Sequence, residues 1–293
     1  MSDLIAALRT FARLSEKLSF SAVATETNAS HTTIARRIDL LEQHFGVRVL
    51  VRSTRRLTLT DEGERLLEHA RAVLDELEQA ETDLSPGRTQ ARGVVRVGVT
   101  TALGLHYAER VGALYARHPE LRVEFAVADW QRDMQQEGLD LALRVGERAE
   151  DALIARPLGL VHRILVAAPA YLQAMGRPAR PEQLPAHQCV VYGYGPTPVF
   201  WEVGGVSYPV AGFFKADSSE AVRRAVLSGL GVALLPHLLV AEDLAAGRLE
   251  QLLQGVEIEP LRLAVVRPAT GRVPPRVRVV LDFLVQQFPT AEP

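Results

Sequence analysis

The chain has a single cysteine, Cys189, in 293 residues. One thiol rules out an internal disulfide framework and a multi-cysteine metal site, and it fits a reducing, cytoplasmic setting. His187, two positions away, adds one imidazole, too few ligands for a metal centre. For Cys189 the readings are a lone redox thiol or a buried core cysteine. No run of about 18 apolar residues occurs, so no membrane span is expected. Met1-Ser2-Asp3-Leu4 has no basic stretch leading into an apolar one, so no signal peptide is expected. Internal repeats and low-complexity tracts are missing too. So are the G-x-S-x-G elbow, the phosphate loop, the dinucleotide-binding glycine pattern and H-E-x-x-H. No catalytic residue, metal or cofactor is therefore expected.

Hydrophobic residues make up 47% of the chain, enough for ordinary buried cores, and the length suits two or three units. The formal charge of −2 hides an uneven distribution. Residues 1–59 hold nine Lys/Arg against five acids (+4), residues 60–85 hold two against nine (−7), and the rest is +1. A basic head beside an acidic segment and a neutral body suits a nucleic-acid-binding module joined to something else.

The head is organised around residues 20–45, which read as two short helices joined by a tight turn. Ser21 is expected to cap the first and Ser30 the second. Asn28 sits where the first must stop and tolerates a left-handed backbone. Ile34, Ile38, Leu41 and Phe45 recur at steps of 4, 3 and 4, so one face packs inward. The other face begins with Ser30, His31, Thr32 and Thr33 and continues through Arg36 and Arg37. Short polar groups at the start of such a helix reach base edges, and arginines reach phosphates or guanine. The competing reading is a surface helical hairpin with a solvated basic face. Leu4, Leu8, Phe11 and Leu14 form a stripe that completes a three-helix head, and Gly46 ends the second helix. Two strand-like runs, 47–52 and 56–59, then form a basic hairpin whose Arg52, Arg55 and Arg56 suit phosphate or minor-groove contact.

Thr60 is expected to cap a long helix with Asp61 and Glu62 in its first turn. Leu66, Ala70, Val73, Leu77, Ala80 and Leu84 form a seam in it, either a coiled-coil dimer contact or packing within the chain. Ser85-Pro86-Gly87 ends the helix, and a hinge runs to Gly93. From there strands are expected at 94–99, 121–127, 139–145, 163–168, 190–192, 213–216, 232–235 and 261–266. Helices are expected at 103–117, from Pro169, from Ser218 to Ser228, after Pro236, and at 276–288. This alternation implies parallel sheets covered on both faces, in two lobes with ligand binding between them.

The whole chain resembles the LysR-type transcriptional regulators. The resemblance lies in Ser19-Phe20-Ser21-Ala22, residues 36–42 (RRIDLLE), residues 45–52 (FGVRVLVR) and residues 57–63 (LTLTDEG). It continues in Pro169-Ala170-Tyr171-Leu172, residues 228–236 (SGLGVALLP) and Ala246-Gly247-Arg248-Leu249. It implies an α/β chain: an N-terminal winged helix-turn-helix, a linker helix, and a two-lobed effector domain similar to type 2 periplasmic binding proteins. The expected boundaries are 1–59 for the DNA-binding domain, 60–92 for linker helix and hinge, and 93–293 for the effector domain. Its first lobe takes about 93–162 and 266–293, its second about 163–265. The implied partners are double-stranded promoter DNA, a small-molecule effector, and further copies of the chain in a homodimer or homotetramer. Thr27 stands where the family often has leucine, Ala35 where it often has serine, and Asn28 where glycine is frequent.

Family position points to Thr100 and Thr101, whose hydroxyls and free N–H groups open a helix and suit an anion. A carboxylate-bearing effector is expected there. Arg144 is expected to pair with it or to form an ordinary ion pair. Asp129 and Trp130 are expected to border the cleft. Ser218 either closes on the ligand or simply caps its helix. The loop Tyr192-Gly193-Tyr194-Gly195-Pro196 reads as a turn or an aromatic wall. The rival readings are a cytoplasmic solute-binding protein, or an α/β enzyme with an appended helical head. The first leaves the basic head without a purpose, and the second lacks the catalytic motifs named above.

Overall fold

The computed structural model describes residues 2–52, 57–84, 91–129, 133–134, 137–146, 153–269 and 273–288. It divides into two compact units: a head, Met1–Thr89 with Gly271–Pro275, and a body, Gln90–Thr270 with Arg276–Pro293.

The head contains α1 (Ser2–Lys17), α2 (Phe20–Glu26), α3 (His31–Phe45), an antiparallel pair β1 (Leu50–Arg52) and β2 (Leu57–Leu59), and α4 (Asp61–Leu84). Leu8, Phe11 and Leu14 of α1 are buried with Val23 of α2 and with Ile34, Ile38 and Leu41 of α3. Phe45, expected to extend that stripe, is 44% exposed. The next residue, Gly46, takes the left-handed conformation (φ 68) and turns the chain away from the core. Asn28 is left-handed as well (φ 49). The cap of α2 is Ser19 rather than Ser21: the Ser19 hydroxyl accepts from the Ala22 N–H, and Ser21 already lies inside the helix.

The start of α4 is locked against the chain before the wing. Thr60 Oγ1 donates to the Arg48 carbonyl (2.7 Å) and accepts from the Gly63 N–H (2.9 Å). A Cβ on Gly63 would lie 2.1 Å from the Val49 carbonyl oxygen, so only glycine fits this approach. Leu66 and Ala70 join the head core, whereas Val73 (50% exposed) and Leu84 (84%) face outward. The expected seam therefore changes role along its length.

The first half of the body runs β3 (Gly93–Val99), α5 (Thr101–Ala108), α6 (Gly112–Arg117), β4 (Leu121–Val127), β5 (Leu141–Val145) and β6 (Leu153–Val161). Then come β7 (Arg163–Ala167), α7 (Pro169–Met175), β8 (Val190–Tyr192), β9 (Val199–Val203), β10 (Val206–Val210) and β11 (Phe214–Ala216). The chain closes with α8 (Ser219–Leu227), β12 (Val232–Pro236), α9 (His237–Ala245), β13 (Glu250–Leu252), β14 (Leu261–Pro268) and α10 (Pro275–Gln287). One sheet has the order β4-β3-β5-β14-β6. In the other lobe β12-β7-β13 is joined to β11-β8 by a parallel bridge between Cys189 and Val232, which makes the order β11-β8-β12-β7-β13. The two lobes thus repeat one topology.

Neither sheet is all-parallel, as the alternation had implied. β14 runs antiparallel to β5 and β6, and β7 runs antiparallel to β12 and β13. Each arrives from the other lobe and so enters its sheet from the opposite end. The whole of β14 belongs to the first sheet, so the second lobe ends before Leu261 rather than at 265. The expected helix 103–117 is two helices, broken around Glu109 and Val111. Three sets of strands have no counterpart in the sequence reading: β6, the β9–β10 hairpin and β13. β6 holds Pro157 and Gly159, which argue against a strand; it is an edge strand, where proline is tolerated. A Cβ on Gly159 would meet the Phe288 ring at 2.7 Å. The β9–β10 hairpin turns at Gly204-Gly205, both with positive φ (62 and 74).

Candidate functional site

On the head, α3 presents its first turn. Ser30 caps it: its hydroxyl accepts from the Thr33 N–H (3.1 Å) and meets Thr33 Oγ1 at 2.8 Å. His31 and Thr32 are exposed, and the His31 ring lies 5.2 Å from that of Phe20. Arg36 is exposed. Arg37, expected beside it on the outer face, reaches back to α1 instead. Its Nη1 donates to Thr10 Oγ1 (3.1 Å), and Thr10, only 3% exposed, donates to the Ala6 carbonyl (2.8 Å). Arg37 therefore ties α3 to α1. The reason is angular: one residue on a helix is a rotation of about 100°, enough to carry it to the edge of the buried face. Arg52 lies in β1, with its side chain outside the described atoms, and Arg55 and Arg56 lie outside the described residues. Thr27 is exposed and donates its hydroxyl to the Val23 carbonyl (2.7 Å), so leucine would gain little burial there.

In the body a cavity of about 390 Å³ opens between the two lobes, within the size range of small-molecule sites. Its walls are mainly apolar, with Leu103 and Leu143 from the first lobe and Trp201 and Leu234 from the second. Of the residues singled out in sequence, Thr100, Asp129, Arg144 and Tyr192 line it. Thr101 and Ser218 are not among its lining residues. The Ser218 hydroxyl accepts from the Ala221 N–H (3.3 Å) and caps α8. Thr100 occupies the cap position of α5 but makes no side-chain capping bond. Trp130 lies outside the described residues. Tyr194 is 85% exposed and does not line the cavity.

The geometry corrects one expectation. The N–H of Thr101, expected to be free for an effector anion, donates to Asp129 Oδ1 at 2.6 Å. Asp129 Oδ2 accepts from the Ser219 N–H (2.6 Å) and from Ser219 Oγ (2.7 Å). The Tyr192 hydroxyl donates to the Asp129 backbone carbonyl (2.7 Å). Burial, with Asp129 and Asp217 nearby, pushes that phenol up to about 12. The chain's own carboxylate thus sits where two helices expose their first N–H groups.

Arg163 also lines the cavity, and the sequence reading gave it no role. It opens β7 at the crossing between lobes, and its Nη2 donates to the Glu259 carbonyl (3.0 Å). Its Nε is buried without a hydrogen-bond partner among the described residues. Burial lowers its pKa, opposed by Glu259. The sequence signal was a charged residue leading straight into the apolar run 164–168. Ser219 and Trp201 were missed as well. Cys189 is 1% exposed, and burial pushes its thiol up to about 11. Among the described residues no group of three or more His, Cys, Asp or Glu could hold a metal. No helix among them is long and apolar enough to cross a membrane.

Comparison with known proteins covers nearly the whole length. A family model described as the bacterial regulatory helix-turn-helix protein, lysR family, matches residues 5–64, and one described as the LysR substrate binding domain matches residues 88–289. The chain is 33% identical over 287 residues to the HTH-type transcriptional regulator DmlR of Escherichia coli, covering 96% of this chain and 93% of that protein. It is 32% identical over 289 residues to the uncharacterized HTH-type transcriptional regulator YhjC of the same organism, covering 96% and 97%. Among solved structures it is similar to CrgA, a LysR-type transcriptional regulator from Neisseria meningitidis, with 31% identity and a TM-score of 0.63 over 96% of this chain and 98% of that one.

Proposed function

The chain belongs to the LysR family of bacterial transcriptional regulators, and from that premise we propose how this member binds its DNA and what class of effector it takes. It is a DNA-binding regulator with a substrate-binding effector domain, and not an enzyme. The head grips double-stranded promoter DNA in the cytoplasm through His31, Thr32 and Arg36, with Ser30 and Thr33 shaping the start of the recognition helix. Arg52, Arg55 and Arg56 of the wing add phosphate contacts. The outward-facing half of α4, with Val73 and Leu84, supports pairing of two copies into a homodimer, the unit from which a tetramer would be built.

The effector is a small organic anion with an apolar body. The observation that carries this is the buried Nε of Arg163, without a hydrogen-bond partner among the described residues, on an otherwise mostly apolar wall that also holds Arg144. Among the described residues the one acid on that wall is Asp129, already engaged with Thr101 and Ser219. A carboxylate entering this cavity meets arginine donors suited to it.

The test is retention of the full chain on fragments flanking its own gene, at graded salt, with and without a panel of aliphatic and aromatic carboxylates. Affinity is expected to fall steeply with salt and to shift with at least one acid. Arg163→Met should abolish that shift while leaving salt-dependent binding in place. A chain that ignores every fragment, or whose response to the acid survives Arg163→Met, would contradict the reading.

A further inference from the structure

We propose that Asp129 is a clasp that fastens the two lobes of the body across the cavity, so that the body closes on its own carboxylate. Asp129 follows β4 of the first lobe, and Thr101 opens α5 of the same lobe. Ser219 opens α8, and Tyr192 ends β8, both in the second lobe. The bonds from the Ser219 N–H, Ser219 Oγ and Tyr192 hydroxyl to Asp129 therefore cross between lobes, and the bond from Thr101 anchors the carboxylate at home.

The chemistry suits a fastening. Each helix start carries N–H groups without an intrahelical acceptor and a partial positive charge. One carboxylate satisfies a group on each helix and takes the hydroxyl of Ser219, a residue only 7% exposed. Apolar packing runs across the same line: Ala102 of α5 is buried with Val222 of α8 and Leu239 of α9. A tethered carboxylate acts at an effective concentration on the order of millimolar or more, so a dilute free anion does not displace it from these amides. The anion of an effector is left the arginine side of the cavity, and that consequence rests on the effector reading above. The clasp itself does not.

Hydrogen–deuterium exchange on the full chain, with no effector added, tests it. The Thr101 and Ser219 amides are 118 positions apart yet are expected to be slow together. In Asp129→Ala both should exchange about tenfold faster, the worth of one charge-assisted hydrogen bond, while amides in β3 and β12 keep their protection. Asp129→Asn, which retains one acceptor oxygen, should release them less and gives the readout if the alanine variant does not fold. In Asp129→Ala, acceleration at Thr101 alone would overturn the clasp, because the carboxylate would then serve only its own lobe. So would unchanged exchange at both amides in a folded Asp129→Asn chain, since its single acceptor oxygen cannot hold both. If no carboxylate alters DNA binding while both amides respond together, the effector reading fails and the clasp stands.

Discussion

The head and the body place their working groups in opposite ways. In the head, the residues assigned to DNA lie on the outside of a helix whose inside is the core: Ile34, Ile38 and Leu41 face in, while Thr32 and Arg36 face out. One short stretch sets both faces. In the body, the polar groups of the cavity come from places far apart in the chain, Thr100, Asp129, Arg144, Arg163 and Ser219, and they meet only because two sheets of the same topology face each other. A surface that must reach into a groove can be built from local periodicity. A cavity that must enclose a small molecule needs long-range closure.

The largest effect that would break this contrast comes from the cores. Phe11→Ala should cost the head roughly 3–5 kcal/mol and lower its unfolding transition while leaving the body's unchanged. Calorimetry that showed one shared transition, moving as a whole, would mean the units do not fold separately.

Asp243→Ala tests the body in the same way. This carboxylate is 1% exposed and accepts from Arg223 Nε (2.6 Å) and Arg248 Nε (2.7 Å). Removing it leaves two guanidinium groups beside a buried gap, at a cost of roughly 3–5 kcal/mol to the body alone. Burial alone would raise the Asp243 pKa, but the two arginines outweigh it and hold the group below the ordinary carboxylate value of 3.8. A lowered folded pKa means that its stabilisation is complete above the unfolded value and is lost as pH falls through the folded one. Acid titration of stability should show that loss below the ordinary carboxylate range, and the alanine variant should lack it.

A smaller effect sharpens the contrast within α3. Arg36→Ala is expected to weaken DNA binding and reduce the salt slope by about one, without a change in stability. Arg37→Ala should instead destabilise the head by about 1 kcal/mol through its lost bond to Thr10 and leave the slope nearly intact. Equal slopes lost in both variants would return Arg37 to the DNA face. The smallest effect belongs to Cys189: a buried thiol held up near 11 should resist alkylation in the native chain and react on unfolding. Rapid native labelling would show the second lobe to be more open than its packing implies.

Where the pattern was local, most of it could be read, although the cap of α2 falls at Ser19 rather than Ser21, Phe45 leaves the α3 stripe and the helix expected at 103–117 breaks in two. The α1 and α3 stripes, the caps at Ser30, Thr60 and Ser218, and the left-handed Asn28 and Gly46 all follow from side chains within a few residues of one another. β6 was hidden because Pro157 and Gly159 look like breakers and are tolerated only at a sheet edge, next to Phe288. The hairpin β9–β10 was hidden because its strands sit outside the repeating strand–helix rhythm.

The sequence by itself determined the family, the order of the units and the outward face of α3 apart from Arg37, because periodicity and motif order are properties of neighbours along the chain. Only the tertiary structure decided that Arg37 turns inward, that Arg163 lines the cavity, and that Asp129 already holds the Thr101 amide expected to be open to an effector. Those are contacts across tens of residues, where the partner of a hydrogen bond depends on which helix ends the packed lobes bring together.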